Sequence, residues 1–183
     1  MGYLILLCLS LASVSVVIIY NRLVRDRNRV STALSDIDVQ LKRRYDLIPK
    51  LVAAVEQYAR YERATLTTVT EIRNQASAID GVCQKAPLEQ QLGQGLGKLI
   101  ALAEDYPELK ADQSFLQLQN DLTDIENHIQ YARRYYNGAV RNLNTRIGSF
   151  PDLVVARLFR FCPQAFFEIE SPEQLNSPEI TLR

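Results

Sequence analysis

The chain is 183 residues long, the size of one domain and hardly of two, since domains cluster at about 100 to 150 residues. Lys plus Arg number 21 and Asp plus Glu number 21; a net charge of zero argues against a strongly basic nucleic-acid binder or an acidic tail protein. Cys8, Cys83 and Cys162 are far apart, odd in number and form no CxxC pair, so neither a disulfide framework nor a thiolate zinc site is indicated, and a reducing compartment suits them.

The charge is unevenly distributed, because no charged side chain occurs before Arg22. Tyr3 to Tyr20 is apolar apart from three serines and two tyrosine hydroxyls. Its 18 residues make about 27 Å of helix, close to the roughly 30 Å hydrocarbon core of a bilayer. The two tyrosines stand where interfacial aromatics belong, and Arg22, Arg25, Arg27 and Arg29 follow at once. The positive-inside rule then predicts a short N-terminus outside and the folded part in the cytoplasm. The competing reading is a cleaved signal peptide, for which Ser13 and Ser15 offer a small-x-small site. No Lys or Arg precedes the run, however, and it continues through Val16, Val17, Ile18 and Ile19, which favours a retained anchor over residues 1–21.

From Asn21 onward the composition is that of helices, rich in Leu, Ala, Gln, Glu and Arg with few prolines. One apolar seam runs Val30, Leu34, Ile37, Leu41, Ile48, Leu51, Val55, Tyr58, Val69, Ile72, Ala76 and Ile79, all on one pair of heptad positions. Pro49 interrupts it. Either Asp46 caps a new helix with Pro49 in its first turn, or one long helix kinks at the proline; the unbroken phase favours the second without deciding it. Asp80 and Gly81 end this segment, and Pro87 suits the first turn of a third helix ending before Pro107. A last seam steps through Phe115, Leu118, Leu122, Ile125, Ile129, Ala132, Tyr136, Ala139 and Leu143, with Ile147 and Phe150 one position out of phase. It predicts one helix over 112–149, acidic in its first half and basic in its second, as the helix dipole favours. Helices over about 22–45, 48–80, 87–105 and 112–149, joined by short connections, predict an all-α, antiparallel up-and-down four-helix bundle over 22–161 behind one transmembrane helix. Residues 162–183, with three prolines and four glutamates, read as a flexible tail.

Chemistry is hard to find. His128 is the only histidine, and Ile125 occupies the position where a di-metal Glu-x-x-His pair needs its glutamate. Asp124 lies one turn from His128, but a surface histidine is the better reading. Gly93, Gly95 and Gly97 form a GxGxG with no strand before it, so close helix packing is favoured over a nucleotide loop. The aromatic and basic residues between Tyr131 and Arg146 suit helix pairing better than base stacking in a neutral chain. No catalytic residue, metal, cofactor, small-molecule substrate or nucleic acid is expected. Leu153 to Phe161 combines apolar residues with Arg157 and Arg160. In an up-and-down topology it returns to the anchor, so Arg141, Arg146, Arg157 and Arg160 join Arg22, Arg25, Arg27 and Arg29 as candidate membrane-proximal basic residues.

Five blocks in order carry a family resemblance: YNRLVRDRNRV (Tyr20 to Val30), IDVQLKRRYDLIPKLV (Ile37 to Val52), LIALAEDYPELKA (Leu99 to Ala111), FLQLQNDLTDIEN (Phe115 to Asn127) and YNGAVRNLNTRIGSFP (Tyr136 to Pro151). Through them the chain resembles the LemA family of bacterial membrane-anchored proteins. Tyr45 stands where a histidine is commoner, Lys50 replaces an asparagine, and Leu34 takes a position where an aromatic is frequent. The resemblance implies a bromodomain-like helical bundle behind one membrane span and no reaction. It associates some relatives with organelle formation in magnetotactic bacteria and some genes with membrane metallopeptidases. On that basis Lys42, Arg43, Arg44, Asp46 and Pro49 are candidate partner-binding residues, because a bundle needs apolar seams but not this charged sequence at a bend. The competing reading has Asp46 cap a helix and the arginines pair with acidic residues of other helices. A membrane-tethered scaffold or adaptor, acting on a protein partner or on further copies of itself, is the expected function, with a lipid-interacting protein of membrane organisation as the alternative.

Overall fold

The computed structural model describes residues 1–59, 61–79 and 81–167. These residues are predominantly helical and include no strand: α1 (Gly2–Tyr58), α2 (Arg63–Ala78), α3 (Val82–Leu102), a 3-10 turn (Ala103–Asp105), α4 (Pro107–Ala111), α5 (Gln113–Gly148) and α6 (Asp152–Leu158). The all-α class is as expected. Among the described residues there are six helices: the expected apolar helix and first bundle helix are one element, α1, while α4, before α5, and α6, after it, are short additions.

Three boundaries differ from the expected ones. α1 runs unbroken through Asp46 and Pro49 and is continuous with the apolar segment, so Asp46 caps nothing. A proline inside a helix leaves the carbonyl four residues back without its donor. Here that carbonyl is Tyr45's, and the Arg73 guanidinium of α2 donates Nε–H to it at 3.1 Å. The chain breaks instead between Tyr58 and Arg63, where seam positions 62 and 65 hold Glu62 and Thr65 and offer nothing apolar to continue the helix. α3 starts at Val82, five residues before Pro87. Gly81 lets it do so, because its φ of 108° is one that L side chains rarely adopt.

The chain comprises two compact units, one of Met1–Arg44 with Asn120–Phe166 and one containing Tyr45–Gln119. In the first, α1 and α5 run antiparallel, since Arg44 pairs with Glu126 at 3.4 Å while Asp26 pairs with Arg146 at 2.6 Å. Leu23, Val30, Ala33, Ile37 and Leu41 of α1 and Leu122, Ile129, Tyr136, Val140, Leu143 and Ile147 of α5 are buried. The α5 heptads thus place every seventh residue inward and leave Leu118, Ile125, Ala132 and Ala139 half-buried. Phe150 does not continue the seam: α5 has ended at Gly148, and the ring is 83% exposed.

In the second unit Ile48, Leu51, Val55, Leu66, Val69, Leu92, Leu96, Leu99, Leu109 and Phe115 form the core. Gly95 is where α3 meets α2, because a Cβ there would lie 3.0 Å from Val69 Cγ2; close packing accounts for it. Tyr45 donates its hydroxyl to the buried Glu89 carboxylate. Asp112 caps α5 by accepting from the Ser114 and Phe115 amides at 2.7 and 3.2 Å, and Tyr58 donates to its other oxygen at 3.2 Å. These amides hold the Asp112 carboxyl below its ordinary value, while the bond to that carboxylate raises the Tyr58 phenol.

Two predictions follow from the α1 geometry and the cap. Arg73→Met should cost about 1–2 kcal/mol by orphaning the Tyr45 carbonyl, and less in a Pro49→Ala background, where the restored amide reclaims it. A double-mutant cycle in urea that finds no coupling would contradict the repair. Because the Asp112 pKa is depressed in the folded state, its contribution is present above the ordinary carboxylate pKa and is lost as pH falls through the folded value. Asp112→Asn, which can still cap, should flatten that acid limb in pH-dependent melting curves.

Candidate functional site

From Gly2 to Ile18 every side chain of α1 is exposed. In water so long an apolar surface would be a large unpartnered patch. Two of its three serine hydroxyls are satisfied along the helix, Ser10 donating to the Leu7 carbonyl and Ser13 to Leu9, at 2.8 and 2.9 Å. That is the internal satisfaction a lipid environment demands. Packing begins at Ile19 and Leu23, which are buried. This is one helix long and apolar enough to cross a membrane.

Just beyond it lies a charged and aromatic junction. Asp26 is 4% exposed. Its carboxylate accepts from Arg146 Nε at 2.6 Å and from Arg29 Nη1 at 3.4 Å, and Arg146 Nη1 reaches Asp152 at 3.3 Å. One guanidinium therefore ties α1, α5 and the start of α6 together, and the Asp26 carboxylate raises its pKa further. The Tyr20 ring packs on Phe159 and Phe161 with centroids 4.7 and 5.9 Å away, and Arg27 lies over Phe161 at 5.5 Å. The chain then returns along α5. Tyr136 donates to the Ala165 carbonyl at 2.9 Å, and Asn144 exchanges two bonds with the Gln164 backbone at 2.8 and 2.9 Å. Residues 164 and 165, at the start of the segment read as a flexible tail, are therefore held on α5, and 168–183 lie outside the described residues.

The structure separates the basic residues into two kinds. Arg22, Arg25, Arg27, Arg29, Arg141, Arg157 and Arg160 are exposed, whereas Arg146 is half-buried in its ion pairs. Arg25 and Arg29, with Asn21, Asn28 and Tyr135, line an open groove of about 440 Å³. Among the partner-site candidates Lys42, Arg43, Asp46 and Pro49 are exposed, but Arg44 is buried against Glu126, so for Arg44 the competing ion-pair reading describes the geometry. His128 is exposed, and among the described residues no group of three His, Cys, Asp or Glu side chains is placed to hold a metal ion. Sequence reasoning missed Asp26 as a core charge. The available signal was its phase, four residues before the seam residue Val30.

Fold and site together define an all-helical protein whose first helix carries a candidate membrane span followed by a basic collar. Residues 33–182 match the LemA family model. The chain is 30% identical over 165 residues to Protein LemA of Metamycoplasma hominis, covering 89% of this chain and 75% of that one. It is 23% identical over 188 residues to Magnetosome protein MamQ of Magnetospirillum gryphiswaldense, covering 88% and 68%. Magnetosome protein MamQ 1 of Paramagnetospirillum magneticum is 22% identical over the same length and shares. The chain belongs to the LemA family.

The junction makes a testable demand. Arg146→Met leaves the buried Asp26 only its longer contact with Arg29 and should cost about 3 kcal/mol, the low end for breaking a buried pair because Arg146 itself is partly exposed. Asp152→Asn keeps that pair and should cost about 1 kcal/mol or less. Equal losses in urea denaturation in mild detergent would mean that the Asp26 pair is not the tie.

Proposed function

We propose that this protein is a single-pass, membrane-tethered helical scaffold or adaptor of the bacterial inner membrane, its folded part cytoplasmic, which binds a protein partner or further copies of itself. The observation that carries this reading is the continuity of α1: an apolar, exposed segment becomes, with no linker, the core helix of a folded unit. A helix so built holds its domain at the bilayer surface. The collar Arg22, Arg25, Arg27 and Arg29 supports the cytoplasmic orientation by the positive-inside rule. Support for binding rather than turnover comes from what fills the interior. Buried Asp26, Arg44 and Glu89 are engaged in ion pairs or hydrogen bonds, and the open grooves have mixed linings. The groove between α1 and α2, about 390 Å³ in volume, is lined by Val52, Glu56, Arg63, Leu66, Thr67, Thr70 and Glu71. The two magnetosome relatives favour a role in membrane organisation as the second reading.

Lys42 and Arg43 are the preferred docking residues, exposed where Arg44 is not. Crosslinking in native membranes followed by purification of the full chain should recover a defined protein or a defined homo-oligomer. Lys42→Gln with Arg43→Gln should abolish that recovery while leaving the melting temperature within about 2 °C, as surface substitutions do. A large fall in melting temperature would make these residues structural and contradict the docking role.

A further inference from the structure

We propose that α6 and the three residues after it, 152–161 with Phe150 beside them, form a second membrane contact. This segment would lie in the leaflet where the α1 span ends, its apolar strip at the acyl boundary and Arg157 and Arg160 on lipid phosphates. The proposal rests on reading α1 as a membrane span.

Position carries the argument first. Tyr20 closes the apolar run, and its ring touches those of Phe159 and Phe161 at 4.7 and 5.9 Å, so the end of this segment lies level with the end of the span. The Asp26–Arg146 pair fixes the end of α5 only six residues further along α1, about 9 Å along the helix axis. The headgroup layer on each side of a bilayer is roughly 5 to 8 Å deep. The segment thus sits at the depth that interfacial helices occupy.

Chemistry agrees with position. Val154 and Leu158 are one turn apart and 59% and 71% exposed, while Val155 and Ala156 behind them are buried. Phe150, 83% exposed, and Phe159, 48% exposed, extend the strip at either end. Arg157 and Arg160 are exposed beside it, as are Arg22 and Arg25 on α1. The acidic residues of this region face inward, Asp26 buried and Asp152 half-buried, both on Arg146. An apolar strip inside a ring of one sign suits an anionic leaflet, where each basic residue gains from the surface potential. A second copy docked there would set like charges against each other.

The chain has no tryptophan, so Leu158→Trp supplies a single fluorophore at an exposed site. The full-length variant is reconstituted into vesicles of phosphatidylcholine and phosphatidylglycerol carrying bromine on the upper acyl chain. Three further single-tryptophan variants accompany it: Val154→Trp as second reporter, Leu9→Trp inside the span, and Tyr131→Trp. Tyr131 is an exposed residue of α5 fifteen positions before Arg146, hence about 22 Å further from the junction. The expected result is blue-shifted emission quenched by bromolipid at positions 158, 154 and 9 but not at 131. Arg157→Glu with Arg160→Glu should remove most of the quenching at 158. Solvent-like, unquenched emission at 158 and 154, with position 9 still quenched, overturns the second contact and leaves the anchor standing. No quenching at position 9 overturns the span reading itself. Blue-shifted but unquenched emission at 158 means that protein covers the strip, and it too overturns the proposal, as does quenching at 158 that the glutamate pair leaves unchanged.

Discussion

One backbone carbonyl decides the form of the longest element. Proline at position 49 withholds an amide that Tyr45 would otherwise receive, and a buried unpaired carbonyl costs about as much as a lost hydrogen bond. Arg73 supplies the missing donor from α2, and α1 continues as one helical element through Pro49 to Tyr58. Tyr45 is engaged twice, its carbonyl by Arg73 and its hydroxyl by Glu89. Tyr45 thus has a place of its own, as donor to a buried carboxylate.

Charge pairs do for register what the apolar seams leave open. A heptad pattern repeats, so sliding α5 by seven residues against α1 would preserve much of the hydrophobic fit. It would also separate Asp26 from Arg146 and Arg44 from Glu126, and breaking a buried charge pair costs several kcal/mol. The pairs Asp26–Arg146 and Arg44–Glu126 are therefore better understood as selecting one alignment than as adding net stability. Arg146, shared with Asp152, extends the same control to the start of α6 and brings the aromatic residues after it to Tyr20.

Much of the fold was legible because its signals are local. The apolar run, the α5 heptads and the turn at Gly81 each depend on neighbours within a turn or two. The break after Tyr58 was present as a gap in the seam, masked by the intact phase on either side. Site residues were harder to read. Lys42, Arg43 and Arg44 are consecutive and chemically alike, yet only the third faces the core, because successive residues on a helix point about 100° apart.

The sequence by itself determined that the chain is helical, that its first twenty residues are distinct from the rest, and that arginines gather just after them, since composition and periodicity are properties of short stretches. Only the tertiary structure decided which arginines are spent on internal partners and which remain for solvent or lipid. Arg146 finds Asp26 across 120 residues of sequence, and no local pattern records a contact at that separation. The net charge of zero likewise says nothing of where the charges lie. The fold turns key acidic residues inward at the junction and leaves a basic, partly apolar rim beside the end of the span.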